Sequence, residues 1–196
     1  MNSNIKITDK ETLSDDKYNL HRYTLNYRTR EGEIQVQIRD VFDQGNGAAI
    51  LLYNVDQRTV ILTRQFRLPA YVNGSEDGML IEACAGMLDG DLPEVCIKRE
   101  ALEETGIRVE KVTKVFEAYM SPGALTELLY FYIAEYKDED KVGKGGGLDH
   151  EQENIEVVEM SFESAFKMIS DGLIQDAKTI MLLQYLKIQD VFAEAD

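Results

Sequence analysis

The sequence is poor in the residues on which several common enzyme classes depend. It has two histidines, two cysteines and no tryptophan among 196 residues. With His21 and His150 as the only histidines, a Ser-His-Asp triad or a multi-histidine metal site is nearly excluded. Cys84 and Cys96 are too few for a disulfide scaffold or a zinc site, so we expect two reduced thiols in a cytoplasmic protein. Any catalysis must therefore depend on carboxylates.

Long apolar runs and an excess of positive charge are also missing. The longest apolar runs, such as residues 128–134, are too short to cross a bilayer, and residues 1–6 lack the apolar stretch of a signal peptide. The 21 basic residues face 36 acidic ones, which gives a net charge of −15. Nucleic-acid binding usually shows as a basic patch, so neither nucleic acid nor a membrane is an expected partner. An acidic protein can still bind a polyphosphate if metal ions lie between the two.

The chain reads as two parts that meet near Gly45-Asn46-Gly47. Residues 1–45 are β-rich, with strands expected at 20–28 and 34–42 and a glycine-containing connection at 30–33. Residues 46–196 mix strands and helices, and the hydrophobic fraction of 44% is enough for a core, which excludes a disordered chain. This order predicts a mixed α/β sandwich. The expected strands of the second part are 48–54, 59–64, 79–83, 109–119, 127–136 and 155–158, and its expected helices are 92–105, 162–171 and 175–188, with a loop around 71–75.

The first of these helices has recognisable signals at both ends. Asp91 can cap its N-terminus, with Glu94 three positions further on and Pro93 in the first turn. Gly106 stands directly after the last helical position, where glycine commonly ends a helix. We therefore expect a helix over residues 92–105.

The same helix carries three carboxylates on one side. Glu100, Glu103 and Glu104 lie at positions i, i+3 and i+4, where like charges cost a helix roughly a few tenths of a kcal/mol per pair. One interpretation is a solvated acidic face, since the opposite side of the helix is apolar. The other is a hard-cation site, because Mg²⁺ is held by a few carboxylates together with substrate phosphates. The residues alone leave both interpretations open.

The helix and the glycine before it resemble a known family motif. The run Arg99-Glu100-Ala101-Leu102-Glu103-Glu104-Thr105-Gly106-Ile107 matches every fixed position in the second half of the Nudix box. The first half departs from the pattern: Gly86 lies one residue too close to Arg99, and Asp91 takes the place of its acid. The resemblance implies a Nudix α/β/α sandwich with a small N-terminal β element. It also implies Mg²⁺-dependent hydrolysis of a nucleoside diphosphate linked to another group.

The same resemblance implies a set of metal ligands. Glu100 and Glu104 fall on the side-chain ligand positions, and Ala85 on the position of a backbone carbonyl ligand. Glu103 corresponds to a middle acid that binds a further ion or orients its neighbours. Arg99 is expected to clamp Glu100 and Glu103 by bidentate hydrogen bonds rather than to act in catalysis.

Three further segments resemble the branch of the family that acts on ADP-ribose and nucleotide sugars. They are Arg64-Gln65-Phe66-Arg67 with the later Met79-to-Gly86 run, in which Cys84 replaces a proline, then Ser121-to-Glu127, and finally Glu151-to-Glu156. The last, acidic loop would supply Glu153 as a metal ligand and Glu151 as the base that activates water. Two alternatives stay open: Glu153 is the base and Glu151 the ligand, or Glu127 activates the water.

The resemblance also names residues that contact the substrate. Arg67, Arg64 and Gly86 are expected at the phosphates, and Glu127 at the sugar or nucleotide. The other two are Lys178, at a phosphate oxygen, and Arg39, which would reach the site of the partner subunit in a homodimer. Within the branch, nearly the whole chain looks most like the enzymes that hydrolyse GDP-mannose, with ADP-ribose as the alternative substrate. A non-catalytic Nudix module that binds a nucleotide would be expected to lack the metal carboxylates, and an enzyme acting on RNA ends would need a positive surface.

Overall fold

The structure is a computed structural model that describes residues 4–148 and 152–193. Its contacts divide the chain into two compact units, Met1–Asn46 with Tyr119–Leu128, and Gly47–Ala118 with Leu129–Asp196. Among the described residues, no helix has the length and apolarity that crossing a membrane requires. The strands are β1 (Ile5–Asp15), β2 (Asn19–Arg28), β3 (Ile34–Asp43), β4 (Gly47–Asn54), β5 (Thr59–Phe66), β6 (Met79–Glu82), β7 (Cys84–Met87), β8 (Thr113–Tyr119), β9 (Leu128–Glu135) and β10 (Glu156–Ser161), and the helices are α1 (Leu68–Val72), α2 (Pro93–Thr105), α3 (Phe162–Ser170) and α4 (Ala177–Ile188).

The first unit contains a three-stranded antiparallel sheet in the order β1-β2-β3. The expected hairpin of β2 and β3 is confirmed, with Arg28 paired to Ile34 next to the turn. The sequence pattern does not predict strand β1, because two register irregularities interrupt its alternation and all eleven of its residues are exposed. A strand without a buried face gives no hydrophobic period to read.

Strand β3 carries an apolar face that is uncovered in the single chain. Ile34, Val36 and Ile38 alternate as the sequence predicts, yet they are 60%, 70% and 57% exposed. Exposed apolar side chains in a row are unusual on a monomer and commonly mark an interaction surface. This row of side chains is therefore a candidate interaction surface.

The second unit is built on a seven-stranded mixed sheet. Its main path runs β10-β5-β4-β9-β8, while β6 pairs with β5 and β7 pairs with β4. Strands β4 and β9 are parallel, and β4 is antiparallel to β5 and β7. The sheet thus brings β7, which leads toward α2, alongside the central strand β4.

Helices cover both faces of the central strand. Ala48 and Ile50 of β4 belong to one buried cluster with Ile97 and Ala101 of α2. The alternate residues of β4 point to the opposite face and are also fully buried, and α4 packs against this strand with Leu182 buried. This is the α/β/α sandwich that the sequence predicts.

Helix α2 has the expected end but not the expected beginning. Gly106 closes it in the left-handed conformation, with φ of 73°, which glycine adopts without strain. The predicted cap at Asp91 is wrong: Leu92 is the N-cap, and no side chain caps the helix. The reason is Pro93, which keeps the preceding residue extended and needs no acceptor for a backbone N–H.

Candidate active site

Helix α2 does not present its acidic side to water as a uniform face. The side chain of Glu104 is buried, with the residue only 2% exposed, whereas Glu103 is half-buried at the surface. The exposure of Glu100 is intermediate, and its side chain is also largely buried. Two carboxylates withdrawn from water at this spacing do not fit a solvated surface, so the hard-cation interpretation is the better one.

The strand β7 lies directly against these carboxylates. The backbone N–H of Ala85 donates to Oε2 of Glu104 at 3.3 Å, and the Cys84 thiol is hydrogen-bonded to the same carboxylate. Gly86 borders Glu100 so closely that a Cβ at position 86 would collide with the Glu100 carboxylate. Strand β7 therefore fixes where both carboxylates lie.

A third carboxylate approaches from the loop before β10. The backbone N–H of Leu148 donates to Oε2 of Glu153 at 3.0 Å, and the absence of a side chain at Gly147 leaves room for that carboxylate. The negative charge of Glu153 acts on both Glu100 and Glu104. Glu151, the expected base, lies outside the described residues.

The proximity of these groups changes their acidity. Burial raises the pKa of Glu100 to about 7, opposed by Arg99 and reinforced by Glu103 and Glu153. Burial likewise raises the pKa of Glu104 to about 7, with the charges of Glu100 and Glu153 adding to it. Close, buried carboxylates keep their protons more readily because no positive charge compensates them fully.

The donor set fits a hard divalent cation. Glu100, Glu104 and Glu153 offer carboxylate oxygens, which Mg²⁺ prefers, and a cation would relieve the repulsion that raises the two pKa values. Within the described residues, no three His, Cys, Asp or Glu side chains form a ready-made cage for a metal. Mg²⁺ commonly keeps several waters and takes further ligands from substrate phosphates.

Arg99 pairs with both expected acids of its own helix, but not in the expected bidentate form. Its Nη1 atom lies 2.9 Å from Oε1 of Glu100 and 3.0 Å from Oε2 of Glu103. One nitrogen bridges the two carboxylates, so the clamp is not the bidentate fork that Arg can form with one carboxylate. The ion pair with Arg99 holds the Glu103 carboxylate at the surface of α2.

Two of the predicted phosphate ligands meet at a buried acid. Arg67 donates from Nε and Nη2 to the two oxygens of Glu82 at 2.7 and 3.0 Å. Lys178 donates to Oε2 of Glu82 at 2.5 Å and to Oδ1 of Asp176 at 2.9 Å. Arg67 also lies within electrostatic range of Glu104. Both cations therefore lie in the second unit with the carboxylates of α2, and their expected contact with phosphate stays a prediction.

The remaining predicted site residues fall into other surroundings. Arg64 forms ion pairs with Asp77 at 3.2 Å and Glu156 at 3.3 Å in the second unit. In the first unit, Oε1 of Glu127 accepts a hydrogen bond from Nε2 of Gln44 at 3.1 Å. Also in the first unit, Arg39 bonds to the Ile38 carbonyl and to the Gln37 side chain, at 2.7 and 3.1 Å. The roles assigned to Arg64, Glu127 and Arg39 stay predictions.

Glu82 belongs to the Met79-to-Gly86 run that resembles the family branch, but the sequence pattern assigns it no role of its own. It stands among the apolar residues of β6, and its partners Arg67 and Lys178 are 15 and 96 positions away. The available signal was a charged residue at the end of a strand that otherwise reads as buried, since such a residue is rarely buried unless it is paired. Its partners could not be named because nothing local links them.

Comparison with known proteins defines the class to which this fold and site belong. The NUDIX domain model matches residues 43–183, which is more than half of the chain. The chain therefore belongs to the Nudix hydrolase family, and the fold and enzyme class expected from the box are confirmed.

A second model and several curated relatives place the chain within that family. The model of the GDP-mannose pyrophosphatase NudK N-terminal domain matches residues 4–42. A relative from Yersinia pestis (strain Pestoides F) named GDP-mannose pyrophosphatase is 58% identical over 178 residues, which cover 91% of this chain and 89% of the relative. A relative of the same name from Pectobacterium atrosepticum is 53% identical over 194 residues, 99% of this chain and all of the relative. Another from Salmonella arizonae is 52% identical over 186 residues, 95% and 96% of the two chains.

Proposed function

We propose that the protein hydrolyses the diphosphate bond of GDP-mannose and releases GMP and mannose 1-phosphate. The observation that carries the proposal is the pair of buried carboxylates, Glu100 and Glu104, held against β7 in a chain that matches GDP-mannose pyrophosphatases over nearly its full length. A non-catalytic module would have no use for two buried acids whose mutual repulsion opposes folding.

Mg²⁺ is the proposed cofactor, held by Glu100, Glu104, Glu153 and the backbone carbonyl of Ala85, with Glu103 nearby. A cation bound there supplies positive charge between these carboxylates and the diphosphate and stabilises the charge that develops at phosphorus. In a protein of net charge −15, the substrate needs this compensation. The carboxylates of α2 serve to place that charge, and Gly86 leaves the space in which Glu100 can lie.

The proposed acid–base step belongs to the acidic loop. Glu151 accepts the proton of the attacking water, while Glu153 faces α2. The alternatives are the exchange of these two roles and activation of the water by Glu127. Metal titration of the Gln variants separates them, because loss of a ligand weakens metal affinity whereas loss of a base leaves it nearly unchanged.

Arg67 and Lys178 are the proposed partners of the diphosphate. The side chain of Arg67 is 41% exposed, and its Nη1 atom is not used in the two bonds to Glu82. Arg67 can therefore bind an anion without leaving Glu82. Arg64 adds positive charge on the strand that leads to Arg67.

The proposed assembly is a homodimer in the cytoplasm. Ile34, Val36 and Ile38 form an exposed apolar row on β3, and a small sheet of this kind needs a cover to be stable. In the proposed dimer a second copy covers it, and Arg39 reaches the nucleotide site of the partner subunit. The two cysteines are free and buried, which suits a reducing compartment.

The test is a panel of nucleoside diphosphate sugars, with ADP-ribose included, incubated with the purified protein and Mg²⁺. Formation of GMP and mannose 1-phosphate from GDP-mannose, and its loss on chelation of the metal, is the expected result. Faster release of AMP from ADP-ribose would make ADP-ribose, the alternative, the preferred substrate. A panel without any turnover would favour the non-catalytic module.

A further inference from the structure

Glu82 is a buried acid that none of the proposed catalytic steps uses. The residue is 2% exposed and ends β6, where its neighbours in sequence are apolar. Burial disfavours its ionised form, but the hydrogen bonds and positive charges of Arg67 and Lys178 outweigh that effect, so the pKa of Glu82 is lowered. Glu82 is therefore an anion held in place by two cations.

The backbone around Glu82 is fixed on both sides. Glu82 pairs with Thr63 in the register of β5 and β6, and the Thr63 hydroxyl donates to the Glu82 carbonyl at 3.2 Å. On the other side, the N–H of Ala83 donates to the Thr179 hydroxyl at 2.6 Å. The Glu82 carboxylate thus starts from a backbone that has little freedom to move.

The same contacts attach the start of helix α4 to this strand. Asp176 caps α4 by accepting from the N–H of Thr179 at 2.9 Å, and its other oxygen accepts from Lys178. Thr179 in turn accepts the bond from Ala83. Lys178 is thereby held between Glu82 and Asp176. The bond from Ala83 to Thr179 keeps this end of α4 next to Glu82.

From this cluster the chain passes through Ala83 into β7, which borders the proposed metal ligands. Two residues after Ala83, the N–H of Ala85 donates to Glu104, and Gly86 borders Glu100. One short stretch of chain, residues 82–86, therefore contacts the two cations at its start and the acids of α2 at its end. A residue that sets the position of the cations also sets their distance from those acids.

We propose that Glu82 is a positioning residue for the diphosphate of the substrate, which holds the Arg67 guanidinium and the Lys178 ammonium in one arrangement that can contact the phosphate oxygens. The inference deepens the proposed function and rests on it, because it takes both cations as phosphate-binding groups. Without the carboxylate, the two cations would repel each other and turn apart.

Glu82→Gln tests this role. The amide keeps the size of the side chain but turns one acceptor oxygen into a donor that faces a cation, so Arg67 or Lys178 must turn away. Phosphate contacts made in both ground state and transition state affect KM more than kcat, so we expect KM for GDP-mannose to rise about tenfold with kcat within about threefold. Glu159→Gln is the matched control, because Glu159 of β10 pairs with Lys141, which is not among the proposed site residues, and KM should be unchanged.

A purely structural role is separated by a mutant cycle. In the Arg67→Gln/Lys178→Gln background, Glu82 has no cation left to position, so adding Glu82→Gln should change KM by less than about twofold. The same tenfold rise in that background would overturn the proposal, and so would an unchanged KM in folded Glu82→Gln. If Glu82→Gln does not fold, Glu82→Asp replaces it, with a smaller rise in KM and the same dependence on the background.

Failure of this proposal and failure of the proposed function remain distinguishable. The wild-type rates on the substrate panel test the function, whereas the ratio of KM values between variants tests Glu82. If the wild type prefers another nucleotide sugar, the cycle is run on that substrate with the same expected ratios. A wild type that turns over no member of the panel would overturn both.

Discussion

The carboxylate of Glu100 occupies the space that a side chain at Gly86 would need. A Cβ at position 86 would meet the carboxyl carbon, Oε1 and Cγ of Glu100. The glycine therefore permits a close approach between β7 and α2 rather than a special backbone angle. This relationship joins the first half of the Nudix box to the acidic helix in physical terms.

Gly86→Ala should impair catalysis and leave the fold intact. The added methyl group meets the end of a flexible side chain, so Glu100 turns away at little cost to packing, but its carboxylate leaves the proposed metal site. We expect turnover to fall by roughly tenfold or more, with a higher Mg²⁺ concentration needed for half-maximal rate. Gly143→Ala is the control, since its added Cβ would make only an ordinary contact, 3.5 Å from the Cα of Gly106. An alanine variant with normal rate and metal requirement would contradict the close-approach argument.

Glu104→Gln should reduce turnover more severely than Glu103→Gln. The buried Glu104 is a proposed ligand, and an amide keeps its shape while removing its charge, so a loss of roughly two orders of magnitude or more is expected. Glu103 is paired with Arg99 at the helix surface, so Glu103→Gln should reduce turnover less. Steady-state rates at saturating Mg²⁺ measure both, with circular dichroism as the check on folding. A near-normal rate for Glu104→Gln would remove it from the metal site.

Stability should depend on pH through Glu82. Its pKa in the folded protein is lowered from the ordinary value of 4.5, so the ionised form stabilises the fold at pH above that value. As pH falls through the lowered pKa, this contribution disappears. At neutral pH, Glu82→Gln should lower the free energy of unfolding by about 3 kcal/mol, because two cations lose a buried partner.

Urea unfolding at a series of pH values measures this effect. The difference between wild type and Glu82→Gln should be constant above about pH 5 and shrink below pH 4.5. Glu156→Gln is the surface control, since its pair with Arg64 is exposed and such pairs are worth about 1 kcal/mol or less. A difference that grows on acidification would show that Glu82 is not ionised in the fold.

Subunit mixing tests the proposed homodimer. Arg39→Ala and Glu104→Gln each damage a different half of one site if Arg39 crosses to the partner subunit. Mixed after partial unfolding, the two inactive variants should regain up to about a quarter of wild-type activity, because hybrid dimers contain one intact site. A fully active monomer by light scattering would contradict the shared site.

The sequence predicts what local spacing determines. The acids of α2 and the glycine that ends it follow from positions a few residues apart, and the structure confirms the helix within one residue at its start. The alternation of Ile34, Val36 and Ile38 likewise identifies β3. The capping pattern predicts Asp91 as the N-cap of α2, but Pro93 restricts Leu92 to an extended conformation, so Leu92 is the N-cap instead.

The rest depends on contacts between distant positions. Strand β7 is only four residues long, and α1 is five, too short for a period to be read. The contacts of Glu82 join β6 to residues of β5 and α4 that are distant in the sequence, so no local spacing predicts them. Packing in three dimensions, and the need of a buried carboxylate for partners, decide those features.

The central claim is the substrate, and the ratio of kcat/KM for GDP-mannose to that for ADP-ribose tests it most directly. Guanine carries an N2 amino donor and an O6 acceptor that adenine lacks, and a site built to pair them leaves costly unmatched groups when adenine binds. We predict a higher kcat/KM for GDP-mannose by roughly two orders of magnitude, with GMP and mannose 1-phosphate as products. Equal or faster hydrolysis of ADP-ribose by the same preparation would contradict the assignment.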